Sequence, residues 1–174
     1  MEREKSASRL RRRIRILLIL FVAGLVLSGL TAFPLDTELR ILCSFLHIDP
    51  SASPEDYVGG RHWIATVAAA LRETGAKYPF LAYGTDWLAF AHLVIAVAFI
   101  GPLRDPVRNV WVVNFGIIAC VAVFPLALIA GAIRQIPFYW RLIDCSFGVL
   151  GVVPLLLARR YIRGLETIEG ASGA

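Results

Sequence analysis

Charge is absent from three long stretches of this chain. Residues 16 to 33, 87 to 103 and 110 to 133 contain no Asp, Glu, Lys or Arg, and a helix on the surface of a soluble protein needs a polar face. That absence excludes three water-facing helices and leaves three segments suited to the hydrocarbon layer, which a helix crosses in about 20 residues at 1.5 Å per residue. Catalytic motifs of soluble enzymes are missing as well. No P-loop, dinucleotide-binding glycine run, nucleophile elbow or zinc-protease histidine pair occurs, so a soluble-type catalytic domain has no support. The three cysteines form no CxxC pair, and only one of the three histidines, His92, falls within a charge-free stretch. Quinone-linked dithiol chemistry and a haem held by paired intramembrane histidines are both excluded on that count.

What is present agrees with a membrane protein. Apolar residues make up 57% of the chain and charged residues 18%, a proportion that would leave a soluble domain of 174 residues with a largely apolar surface. A fourth apolar stretch, 137 to 158, contains Arg141 and Asp144, and charges within a span are expensive enough to imply a specific use. The net charge of +5 does not indicate nucleic acid, because seven of the 18 basic residues lie in the first 15 positions, directly before an apolar span. With the N-terminus in the cytoplasm, those seven join Arg104, Arg108, Arg159, Arg160 and Arg163 to give twelve basic residues inside against six outside. The expected organisation follows: a basic cytoplasmic N-terminus (1–15), spans at 16–33, 85–103, 110–133 and 137–158, a cytoplasmic loop (104–109), an outer loop (134–141), and a cytoplasmic tail (159–174) that looks flexible after Glu166. Cleavage after the first stretch is disfavoured, since Leu30-Thr31-Ala32 is a poor signal-peptidase site.

Aromatic residues gather where spans should meet the headgroups: Tyr78, Phe80, Tyr83 and Trp87 at one end, Phe138, Tyr139 and Trp140 at another, with Trp111 and Tyr161 on the inner boundary. Residues 34–84 are too long for a simple turn and are patterned as helices. Leu39, Leu42, Cys43 and Leu46 recur at helical spacing after a capping Asp36, and Ser53-Pro54 with Asp56 reads as a second start, ahead of a helix running from Arg61 to Thr74 and stopping at Gly75. Two short amphipathic helices on the outer face are expected. Small residues mark expected helix contacts at Gly24 and Ser28, Ala127 and Gly131, and Gly148 and Gly151, while Pro125 and Pro154 should kink their spans.

Polar residues inside the spans are the candidate site. His92 lies about 7.5 Å along a helix from Trp87, and Asp144 lies a comparable depth into the fourth span, so the two are expected to share a level. Arg141, one turn before Asp144, is expected to pair with it. An outer-leaflet site of His92, Asp144, Arg141, Asp86, Arg134 and Ser28 would suit a polar ligand or a titrating group. Asn114 is expected to make an interhelical hydrogen bond. The connection Gly101 to Asn109, with Pro102, Pro106 and a capping Asp105, reads as a rigid connector whose Arg104 and Arg108 offer a weak signal for a lipid phosphate or a cytoplasmic partner. Cys120 reads as a packing residue, whereas Cys43 and Cys145 are both expected near the outer face, where a disulfide is permitted. His47, His62 and His92 lie on that side without metal-ligand spacing.

The expected protein is thus all-α: a polytopic four-helix bundle of the cell inner membrane, multi-pass, with both termini cytoplasmic. Its expected function is non-enzymatic, the binding or movement of a small amphiphile or lipid, or service as an accessory membrane subunit. Membrane lipids, a protein partner or a second copy of the chain are the expected partners, nucleic acid is not, and no metal or cofactor is assigned. The alternative is a membrane oxidoreductase or electron-transfer subunit holding haem or quinone near His92.

Overall fold

The computed structural model describes residues 1–170 and is 86% helix, with no strand among those residues. Its elements are α1 (Glu2–Ala32), α2 (Leu35–Phe45), α3 (Gly59–Lys77), α4 (Tyr83–Ala98), α5 (Ile100–Arg104), α6 (Val110–Pro125), α7 (Gly131–Ile133) and α8 (Phe138–Gly170). Four segments are long and apolar enough to cross a membrane: Glu2–Ala32, Pro79–Arg104, Val110–Ile133 and Phe138–Gly170. Each expected span falls on one of them. Their outward faces are apolar, with Leu20, Val97, Ile118 and Leu150 all more than 60% exposed, which suits lipid and would be costly against water.

The chain divides into two compact units, one comprising Met1–Leu25 with the chain from Ile95 onward, the other Val26–Val94. In the first, α1, α5, α6 and α8 enclose a core of Ile14, Leu18, Phe99, Val113, Leu155 and Ile162, all buried. Here α6 and α8 approach most closely. A Cβ on Gly148 would lie 2.7 Å from the Cys120 carbonyl, and one on Gly151 would lie 2.7 Å from Cys120 Sγ, so the GxxG pair admits α6 backbone where any larger side chain would collide. Gly116 makes a third such gap, filled by Phe99 and Leu155. Gly24, by contrast, has nothing within 4 Å of its Cβ direction and is not a helix contact.

Both terminal segments are more ordered than their sequences suggest. The basic residues expected as a cytoplasmic arm continue α1, and the residues expected as a tail continue α8 through Gly170. Both extensions are amphipathic. Leu10 and Ile14 on α1 meet Ala158, Ile162 and Leu165 on α8 in the common core, Arg11 Nη2 donates to Glu169 Oε1 at 2.6 Å, and the Arg13 guanidinium lies 5.7 Å from the Tyr161 ring centre. The expectation of a flexible tail after Glu166 is therefore corrected for 166–170, because burial of Leu165 and the Glu169 ion pair hold that last turn; residues 171–174 lie outside those described. Pro125 ends α6 and is followed by a π-helical turn, Leu126–Ala130. This irregularity accommodates the donor that proline lacks. Pro154 lies within an uninterrupted α8.

In the second unit, α2 and α3 are the two short helices expected between the first and second spans. The start of α2 differs from expectation: Pro34 occupies the N-cap without a side-chain bond, and Asp36 pairs instead with Arg40 at 3.2 Å, one turn on. Its end is set by His47, whose φ of 53° turns the chain so that Ile48 N–H donates to the Cys43 carbonyl at 2.8 Å. Ser53 and Asp56 do form a reciprocal capping box, on a single 3-10 turn, Pro54–Asp56, rather than on α3 itself. Gly59 at φ 60° then reverses the chain into α3, which runs through Gly75 to Lys77. The segment is tied by Arg61 to the His47 carbonyl at 2.7 Å, by Asp49 N–H to Tyr57 Oη at 2.8 Å, and by His62 Nδ1 to the Pro54 carbonyl at 2.8 Å.

Candidate functional site

Of the six candidate site residues, Ser28, Asp86 and His92 belong to the unit Val26–Val94, and Arg134, Arg141 and Asp144 to the other. His92 projects from α4 where α1 comes close. A Cβ on Gly29 would lie 3.0 Å from the Ala89 carbonyl and 3.1 Å from His92 Cβ, so it is Gly29, next to Ser28, that makes the small-residue contact. His92 Nδ1 lies 2.8 Å from the Leu88 carbonyl. A carbonyl only accepts, so Nδ1 carries the proton in this bond, and Nε2 of the neutral ring is left as an acceptor. The aromatic rings expected at the start of this span meet in pairs: Tyr78 and Phe80 are 6.1 Å apart and Tyr83 and Trp87 6.0 Å, both in edge-to-face geometry, and Phe90, not among those expected, adds a third contact to Trp87 at 5.8 Å.

Arg141 does something other than the expected pairing. Its Nε donates to the Ile136 carbonyl at 2.9 Å and Nη1 to the Leu128 carbonyl at 3.4 Å, while the side chain lies over Gly131, where a Cβ would come within 2.7 Å of Arg141 Cδ. Leu128 lies in the π-helical turn before α7 and Ile136 in the link between α7 and α8, and a cation is favourable near a helix C-terminus. The Arg141–Asp144 ion pair is thus not formed. The arginine has found acceptors among main-chain groups that helix geometry leaves over, and the guanidinium is drawn toward the ring of Phe138, 5.5 Å away. Asp144 has no hydrogen bond or ion pair among the described residues and is half-buried. Arg134 is exposed at the end of α7.

Asn114 meets its expectation. Its Oδ1 accepts from Arg159 Nε at 2.9 Å, joining α6 to α8, a link that placed Arg159 in the packed helix rather than in a tail. Among the described residues, Arg159 Nη1 is buried with no hydrogen-bond partner of its own. The connector between α5 and α6 is also as specified as its prolines suggested. Asp105 Oδ1 accepts the Arg108 N–H at 3.0 Å, and Asn109 Nδ2 donates to the carbonyls of Asp105 and Gly101 at 3.0 and 3.3 Å.

Cys43, Cys120 and Cys145 are all buried free thiols. The bridge that the sequence permits between Cys43 and Cys145 is not formed, and the two thiols belong to different units of the chain. Among the described residues, no three His, Cys, Asp or Glu side chains gather as a metal-ligand set. Comparison with protein families, with curated proteins and with solved structures gave no match to this chain.

Proposed function

We propose that this protein is a four-span membrane protein of the cell inner membrane, with both termini in the cytoplasm, that binds or moves a small amphiphile or lipid through a polar site in the outer half of its spans. The same site would serve if the chain acts as an accessory subunit of a larger membrane assembly. The single observation that carries this reading is Asp144. A carboxyl group without a partner, part-buried in an apolar helix, costs free energy that structure alone does not repay. Unpaired ionisable groups at membrane depth mark ligand or proton sites by default. In the other unit, His92 is a second polar group within a span, its Nδ1 held by the Leu88 carbonyl.

His92→Phe tests the reading, since it keeps the bulk of the ring and removes both nitrogens. The variant should fold and run as a monodisperse species while losing at least about tenfold in affinity for a co-purifying lipid, a cost of one hydrogen-bonded acceptor. Unchanged lipid retention would reject His92 as a ligand group. The free Nε2 is also what an axial haem ligand presents, its Nδ1–H being held by a carbonyl, so the absorption spectrum of the gently purified protein discriminates the redox alternative. A Soret band assigns the protein to the haem class; a colourless protein with bound lipid supports the amphiphile reading.

A further inference from the structure

At the end of the first unit that carries the chain termini, a pocket of about 350 Å³ opens between α1, the connector after α5, and the last turn of α8. Its floor is apolar, formed by Ile14, Pro102 and Leu165, and its rim holds Arg11, Arg15 and Arg104. Two carboxylates line it as well, Asp105 and Glu169, but both are engaged: Asp105 Oδ1 caps the connector through the Arg108 N–H, and Glu169 Oε1 holds Arg11 at 2.6 Å. Arg15 and Arg104 remain. Neither has a hydrogen bond or ion pair among the described residues, and three guanidinium groups face two carboxylates, so the rim has one cation in excess.

The positions of these two arginines in the sequence set their depth. Arg15 immediately precedes the charge-free stretch 16–33, and Arg104 immediately follows the stretch 87–103. Both therefore leave the backbone where the hydrocarbon ends, which is the level of lipid phosphates. A planar guanidinium fork matches a phosphate with two parallel hydrogen bonds, and a pocket of this volume is of the size that takes a small ligand or a headgroup. The apolar floor continues into spans whose outer faces suit acyl chains. We propose that this pocket binds the phosphate of an anionic phospholipid, with Arg15 and Arg104 as its ligands and Arg11, anchored by Glu169, as the wall that positions it. It is a second site, on other residues than His92 and Asp144, and stands independently of them.

Native mass spectrometry of the full-length delipidated protein, titrated with phosphatidylglycerol, tests the assignment. The double variant Arg15→Gln/Arg104→Gln should bind phosphatidylglycerol about thirtyfold more weakly than the unaltered protein. Arg12→Gln/Arg160→Gln removes the same charge from two exposed arginines outside the pocket and should change binding by less than about twofold. Equal losses in the two double variants, or no loss in the first, would overturn the site. Arg15→Lys/Arg104→Lys keeps the charge and removes the fork, and should weaken binding by about fivefold; should the glutamine variant fail to fold, an unchanged affinity in the lysine variant would also overturn it. Inorganic phosphate separates the sources. Protection from thermal unfolding by phosphatidylglycerol but not by millimolar inorganic phosphate supports the lipid, whereas equal protection by phosphate alone would overturn the lipid assignment.

Discussion

Small residues at helix contacts show how a single atom decides packing. Gly148 and Gly24 are both glycines in apolar helices, yet a Cβ at the first meets the Cys120 carbonyl at 2.7 Å and at the second meets nothing within 4 Å. Replacing a mid-helix glycine by alanine gains about 1 kcal/mol of helix propensity, whereas forcing a methyl against a neighbouring backbone costs about 1–3 kcal/mol. The two variants should differ in sign. Gly148→Ala should lower the thermal midpoint of the detergent-purified protein, and Gly24→Ala should leave it unchanged or raise it; a stabilised Gly148→Ala would show that α6 and α8 are not packed as described. Which small residue touches a partner was only half legible in the sequence. The three-residue spacing of Gly148 and Gly151 carried the signal, but Gly24, four residues before Ser28, has no contact, while Gly29 and Gly116, which were not singled out by spacing, do have contacts. Spacing reports one helix, and a contact takes two. The same reason explains Arg141, whose neighbour Asp144 was visible one turn away and whose actual acceptors, the Leu128 and Ile136 carbonyls, become apparent only when the preceding helix is known to end there.

Helices themselves were the most legible elements, because an uncharged run of about 20 residues has few other uses. Their ends were less so. Asp36 was expected to cap α2 and instead pairs within it, and the Ser53 box caps one 3-10 turn instead of a long helix; a cap residue declares that some turn begins, not how far it propagates. The ordered extensions of α1 and α8 were hidden by their charge, since arginines on an exposed face read as a solvated arm until the buried stripe of Leu10, Ile14, Ile162 and Leu165 is seen to have a partner. The turn between α2 and α3 makes a prediction of its own. Hydrogen bonds from the Ser51 hydroxyl and the Ser51 N–H, at 2.6 and 2.8 Å, hold the Asp49 carboxyl below the ordinary aspartate range, the hydroxyl being the larger cause. The folded-state value thus lies below the unfolded one. Its stabilising contribution is present at every pH above the unfolded value and is lost as pH falls through the folded value. Proteolysis near Ser51 to Ser53 should accelerate as the solution is acidified through the aspartate range. Ser51→Ala should move that acceleration to higher pH by removing the larger bond, and a profile identical to that of the unaltered protein would mean that the Asp49 turn does not hold this segment.

At the scale of the whole molecule, four segments long and apolar enough to span a bilayer and an ion pair between the ends of the chain lead to the same topology by separate routes. An even number of crossings returns the chain to the side where it began, and Arg11 can reach Glu169 at 2.6 Å only if α1 begins and α8 ends on one side of the bilayer. Which side that is depends on charge rather than contact. Twelve of the 18 basic residues fall on the segments at the terminal end, and positively charged loops are retained in the cytoplasm. A reporter that functions only in the cytoplasm should therefore be active when fused after Ala174, and one that functions only outside should be active when inserted between Ser51 and Ser53, where the chain makes an exposed turn. Activity of the outward reporter after Ala174 together with the cytoplasmic reporter between Ser51 and Ser53 would keep the four spans and invert the molecule, placing Arg15 and Arg104 on the outer surface. Activity of the cytoplasmic reporter at both would remove one crossing on each side of the Leu35–Lys77 segment, and with it the depth assigned to His92. Neutralising Arg11, Arg12, Arg13 and Arg15 together provides the decisive comparison. If charge sets the orientation, this quadruple variant should lose cytoplasmic reporter activity after Ala174 in a fraction of molecules, because the inside excess falls from twelve against six to eight against six; if the charge-free α6 dominates insertion, the reporter pattern should not change.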